Sequence, residues 1–117
     1  MALIAITAVL NGCSGKGSAS DAPPDFTAIP GDGAVTLAWT AAPDVEYWLF
    51  YATGSAVTTS NWSSIGGKAV INATSPYTIT GLTNNNVYSF TMNGRKSGGP
   101  GGPGATTQVV SPRFAGT

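Results

Sequence analysis

From residue 25 onward the chain alternates between short apolar-polar runs and turn residues. That rhythm predicts an all-β sandwich or barrel. Residues 26–29 read as a first strand, ended by a turn at Pro30-Gly31-Asp32-Gly33, where glycine accepts a positive φ. Residues 34–40 alternate strictly: Val35, Leu37 and Trp39 share one face, Thr36, Ala38 and Thr40 the other. Such a strand has one buried face. Residues 45–52 form a third strand, dense in aromatics, and residues 54–74 are polar and irregular, with weak strands near Ala56-Val57 and over 68–71. Strands over 77–80, 87–93 and 105–110 complete the set, the last two joined by a glycine-rich loop at 98–104. No helical period or internal repeat follows Cys13. The predicted core is Val35, Leu37, Trp39, Tyr47, Leu49, Tyr51, Ile79, Leu82, Tyr88, Phe90 and Met92.

The N-terminus follows a different pattern. Residues 2–10 form an apolar run that ends in Leu10-Asn11-Gly12-Cys13 and the single cysteine. This stretch resembles a bacterial lipobox, in which signal peptidase cuts before the cysteine and a lipid is joined to its sulfur. The apolar length is adequate for a secretory signal, about 7–15 residues, although no Lys or Arg precedes Lys16 to supply a basic start. It falls short of the roughly 20 apolar residues that a membrane-spanning helix needs. The expected organisation is a signal peptide over 1–12, a lipid-anchored flexible tether over 13–24 ending in Pro23-Pro24, one domain over 25–112 and a tail over 113–117. The expected location is outside the cytoplasm, at a bacterial outer membrane or cell surface.

Composition narrows the function classes. The 117 residues leave room for one domain with a modest core. Charged residues make up 9% and the formal net charge is zero. A neutral chain offers no basic field for nucleic acid. Histidine is absent, which removes the commonest general base and metal ligand. One cysteine makes neither an internal disulfide nor a cysteine-rich zinc site. No cofactor and no metal are expected.

Several segments together resemble a fibronectin type III domain. They are Pro24 before the first strand, Gly31-Asp32-Gly33-Ala34-Val35-Thr36-Leu37-Ala38-Trp39, Glu46-Tyr47-Trp48-Leu49-Phe50-Tyr51, and Tyr77-Thr78-Ile79-Thr80-Gly81-Leu82. The most specific is Leu82-Thr83-Asn84-Asn85-Asn86-Val87-Tyr88, with the leucine-to-tyrosine spacing of a tyrosine corner. Asn84 stands where that family often has proline. The resemblance implies a seven-stranded, immunoglobulin-like sandwich, with strands A, B and E facing C, C′, F and G. It implies no function by itself. The lipobox, tether and module together also resemble the N-terminal part of larger bacterial surface lipoproteins.

Candidate sites follow from that register. If Tyr47, Leu49 and Tyr51 face the core, alternation turns Trp48 and Phe50 to the outer face of the C-F-G sheet, with Trp62 near enough to join them. Rigid aromatic area of this kind suits a protein partner or a sugar. The competing reading is that residues 54–74 fold over the rings as a satellite core. Arg95 and Lys96 begin the F–G loop and are candidates for an anionic partner, against the ordinary alternative of solvated loop charges. Cys13 is the expected lipid attachment site. Asp44 and Glu46 have carboxylate spacing but no evident cleft for glycoside chemistry. Asn61-Trp62-Ser63 and Asn72-Ala73-Thr74 match the N-glycosylation pattern.

The sequence therefore points to a non-enzymatic, extracytoplasmic binding or structural module on a lipid anchor. Two alternatives belong to other classes: a self-associating subunit of an extracellular filament or virion, and an accessory carbohydrate-binding module.

Overall fold

In the computed structural model, residues 17–54 and 56–114 are described. They form eight strands: β1 (Ser18–Ser20), β2 (Thr27–Gly31), β3 (Ala34–Ala38), β4 (Glu46–Thr53), β5 (Lys68–Ala73), β6 (Tyr77–Ile79), β7 (Tyr88–Lys96) and β8 (Gln108–Val110). One sheet has the order β1-β7-β4-β5, with β8 also on β7, and the other runs β2-β3-β6. Every pairing is antiparallel. The two sheets make the all-β sandwich that the alternation predicts. Strands β2 to β8 supply the A, B, C, C′, E, F and G positions, and β1 is an addition.

The alternation of β3 sets the inner face, with Val35 and Leu37 fully buried between intermediate neighbours. Leu49, Phe90 and Met92 meet them from the opposite sheet and are also fully buried. Trp39, Tyr47, Ile79 and Tyr88 are nearly so, while Tyr51 and Leu82 pack half-buried against the cluster. The expected core is thus the observed core. Phe26 joins it, its ring centroid 6.4 Å from Trp39, which in turn meets Tyr47 edge-on at 5.9 Å. Offset and edge-to-face contacts of this kind add to simple area burial.

Two corners lock the ends of the strands. The Thr83 amide donates to the Tyr88 hydroxyl at 2.9 Å, which is the tyrosine corner. A second tyrosine repeats the device at the same five-residue reach: the Ala42 amide donates to the Tyr47 hydroxyl at 2.9 Å. Asn84 explains its own departure from the family's proline. Its Oδ1 accepts from the Gly33 amide at 2.7 Å and its Nδ2 donates to Asp32 Oδ1 at 2.9 Å. Proline there would lose both bonds to the β2–β3 turn. That turn holds Gly33 at φ 62°, a conformation that glycine adopts without strain.

Three local expectations are corrected. Residues 18–20 are not part of a flexible tether: they pair with β7 in the register Ser18↔Lys96, Ala19↔Arg95 and Ser20↔Gly94. Ala56-Val57 is not a strand. Strand β8 is shorter than the run 105–110: its ladder pairs stop at Gln108, only the Ala105 amide still donates to the Met92 carbonyl at 2.8 Å, and β1 takes the edge of β7 at Gly94 to Lys96. A bulge in β5 shifts the register from Tyr47↔Ala73 to Leu49↔Val70. Asn72 takes the left-handed φ of 58° there, which asparagine tolerates better than most residues.

Candidate functional site

Strands β4 and β7 pair as Glu46↔Arg95, Trp48↔Asn93, Phe50↔Thr91 and Ala52↔Ser89. Antiparallel partners share a face, so these eight residues line the outer side of the sheet. An open sheet would leave them wet. Instead all of them except Glu46, Trp48 and Arg95 are buried, and β7 is buried on both faces as far as Gly94.

The cover is the β4–β5 connection. Val57 is completely buried against Phe50 and Ala52, and Trp62 packs on Phe50 at 5.5 Å between ring centroids. The loop is bonded as well as packed: the Val57 amide donates to Ser89 Oγ at 3.1 Å, and Thr107 Oγ1 donates to the Val57 carbonyl at 2.9 Å. Asn61 holds the loop's own turn, accepting from the Thr58 amide at 2.7 Å and donating to the Ala56 carbonyl at 2.8 Å. Small side chains at 89 and 91 make room for this layer. Phe50 therefore leaves the candidate contact surface: at 3% exposure it is the centre of a satellite core. Sequence reasoning missed Val57, Ser89 and Thr107 as the residues that build the cover. The only local signal was an isolated apolar residue in a polar loop opposite small polar positions on β7.

Trp48 lies at the uncovered end, half-buried. The Arg95 guanidinium stacks over its indole, 3.6 Å from the ring centroid. Arg95 is pinned in plane by donating to the Asn93 Oδ1 at 3.1 Å and the Gly99 carbonyl at 3.3 Å. Its Nε is buried with no partner among the described residues. Glu46 Oε2 accepts from Trp48 Nε1 at 3.4 Å, so the cation lies on the indole face and the carboxylate at its edge. The structure thus brings Trp48 and Arg95 together, puts Trp62 against Phe50 beside them, and leaves Lys96 exposed at the end of β7. Cys13 lies outside the described residues.

Other polar groups serve the architecture. Asp25 Oδ1 accepts from the Thr40 amide at 3.0 Å and Oδ2 from the Thr40 hydroxyl at 2.5 Å. Those bonds, side-chain first, hold its carboxyl below the usual carboxylate range. Burial, helped by nearby Tyr77, pushes the Tyr51 phenol up. Asp44 sits at φ 63° in the turn before β4, and Glu46 accepts from the Trp48 indole. Among the described residues no three His, Cys, Asp or Glu side chains gather as a metal site. No helix there is long and apolar enough to cross a membrane. Open concavities among the described residues include one of about 570 Å³ beside Gly17, Ser97, Gly99 and Pro100, a groove of about 400 Å³ beside Pro23, Pro24, Phe26 and Pro103, and a cleft of about 300 Å³ between Tyr51, Lys68, Leu82 and Tyr88.

No protein-family model and no curated protein sequence match the chain. Solved structures do. The crystal structure of the chicken CNTN1 FN1–FN3 domains superposes with a TM-score of 0.63 at 18% identity, over 91% of this chain and 34% of that one. The chain thus spans about a third of that three-domain structure. A structure described as a myokine gives a TM-score of 0.59 at 13% identity, covering 81% of this chain and 100% of that one. At such identities the likeness speaks to fold alone, and the fold is that of a fibronectin type III sandwich.

Proposed function

We propose that the chain is a non-catalytic binding or structural module, held outside the cytoplasm by a lipid on Cys13, whose contact surface is the Trp48 end of the outer sheet face. The observation that carries the contact surface is the Trp48–Arg95 stack, half-exposed while the rest of that face is covered. Trp62, packed on Phe50, borders it, while Lys96 lies at the end of β7 on the opposite face from Arg95. Tryptophan and arginine are the residues most often decisive at protein interfaces. Here both are held in place before any partner arrives, so little side-chain entropy is lost on contact. The use of Asp25, Asp32, Glu46, Asn61 and Asn84 in turns, clamps and an indole bond supports the non-catalytic reading.

Photo-crosslinking from position 46, which pairs with Arg95 on the same face as Trp48, tests the surface in the host. The expected result is a discrete protein adduct that disappears with Trp48→Ala while the variant still folds. No adduct, or one indifferent to Trp48→Ala, overturns it. Fatty-acid labelling tests the anchor: Cys13→Ser should abolish incorporation and release the protein from membranes. Native protein that retains Met1 and carries no lipid refutes that part.

A further inference from the structure

The N-terminal arm lies in a slot built for backbone rather than for side chains. Strand β1 runs along the last three residues of β7, on the edge that β8 has vacated. Glycines surround it. A Cβ on Gly102 would collide with the Ser20 carbonyl, one on Gly99 with the Gly17 backbone and the Ser18 amide, and one on Gly17 with the Lys96 carbonyl. The Gly102 amide donates to the Gly94 carbonyl at 2.9 Å and the Gly99 amide to the Lys96 carbonyl at 2.9 Å, which folds the β7–β8 loop against the arm. The slot thus takes the backbone of an extended strand and leaves room for no side chain at position 17.

Among the described residues, backbone contacts hold the arm: the ladder to β7 and the close approach of Gly99 and Gly102. Ser18 and Ala19 are exposed and Ser20 is half-exposed, so no apolar side chain anchors it. Strand β7 is its main neighbour among the strands. The arm joins the body through residues 21–24, a short connection. A short strand held by backbone bonds alone opens at low cost, and the vacated edge of β7 is then a template for another strand.

We propose that this slot is an acceptor for the N-terminal arm of a second copy of the chain, so that copies associate by exchanging β1. The chain itself supplies the strand that fits, and an exchanged arm makes the same contacts as one folded back on its own domain. Only concentration separates the two states. A short linker gives the internal arm an effective concentration in the millimolar range. Exchange is therefore slight in dilute solution and substantial near 1 mM, or wherever copies are crowded side by side. This inference does not depend on the lipid anchor or on the Trp48 surface.

Ser18 and Lys96 face each other across the ladder, which makes the pair a reporter. Ser18→Cys/Lys96→Cys, in a Cys13→Ser background, is unfolded, refolded at about 10 μM or about 1 mM, and oxidised briefly; near-ultraviolet circular dichroism verifies the fold. Exposed Ser60 provides the collision control, Ser18→Cys/Ser60→Cys. Exchange predicts a single intrachain crosslink in dilute protein and an interchain fraction at least tenfold higher at about 1 mM, well above the control. Deletion of residues 17–20, tested without cysteines, should abolish concentration-dependent mass by light scattering. Crosslinks that stay intrachain at both concentrations, interchain products no more abundant than in the control, or association that survives the deletion would overturn the proposal. The last outcome would assign self-association to another surface.

Discussion

Phe50→Ala separates a satellite core from a contact surface. Phe50 is 3% exposed, under Val57 and Trp62. Burying a phenylalanine side chain contributes about 1.5–3 kcal/mol from transfer alone. Truncation to alanine also leaves a cavity, which brings typical losses to about 3–5 kcal/mol. The cover here is a loop, which can settle further than a sheet can, so the lower end applies: about 3 kcal/mol. That is a large share of the roughly 5–15 kcal/mol that holds a domain of this size together. With a urea slope of about 1.5 kcal/mol/M, the midpoint should fall by about 2 M. Because Val57 and Trp62 lose their shared partner, residues 54–67 should also become cleavable by protease before global unfolding. A midpoint shift below about 0.5 M with an unchanged cleavage pattern would show that the loop does not depend on Phe50.

Three further outcomes follow from the same geometry. Tyr88→Phe removes the acceptor of the Thr83 amide and should cost about 1–3 kcal/mol in chemical denaturation, with the backbone donor left unpaired; a neutral result would remove the corner from the stabilising contacts. Trp39→Ala takes a nearly buried ring from the middle of the Phe26–Trp39–Tyr47 chain and should cost about 3–5 kcal/mol, leaving the domain largely unfolded on warming; an unchanged melting point would refute the register. The carboxyl of Asp25 ionises more readily folded than unfolded, so its contribution is complete above the ordinary value of 3.8 and is lost as pH falls through the lower folded value. The melting-temperature gap between wild type and Asp25→Asn should therefore be constant at neutral pH and narrow below about pH 4; a gap that persists unchanged at pH 2 would mean that the Thr40 bonds do not depend on the charge.

The inner face was legible because period two along β3, β4 and β7 fixes which side chains meet, and both sheets obey it. Val35, Leu37, Leu49, Phe90 and Met92 needed nothing beyond alternation and the family register. The tyrosine corner was legible because its spacing is local. The outer face was not, because its cover depends on contacts between distant positions. Val57 reaches Ser89 across 32 residues and Thr107 across 50. A polar, irregular loop gives no periodic sign of where it will lie. Strand β1 was hidden for a similar reason. Ser18-Ala19-Ser20 has no apolar pattern, and its pairing is decided by an edge of β7 that only the short β8 leaves free. Gly17, which reads as linker, is the one arm position where the close approach to Lys96 leaves no room for a side chain.

The covered face also bears on where a partner can act. Phe50 and Ala52 on one strand, opposite uncharged Thr91 and Ser89 on the next, would leave a sheet face prone to nonspecific association if it stayed open. Closing it with the chain's own loop leaves uncovered only the end where Trp48 meets Arg95, the end proposed above as the contact surface. There the arginine charge is held flat on the indole, and the two guanidinium bonds to Asn93 and Gly99 fix its orientation. The Gly99 bond ties Arg95 to the same loop that folds against β1. The arm and Arg95 share Gly99 as a neighbour, so a change in the arm is expected to reach the presentation of Arg95. Deletion of residues 17–20 should loosen the stack, read as altered near-ultraviolet circular dichroism from Trp48 that Trp48→Phe removes. An unaltered Trp48 signal after the deletion would show that Asn93 alone orients Arg95, and that arm and contact surface act independently.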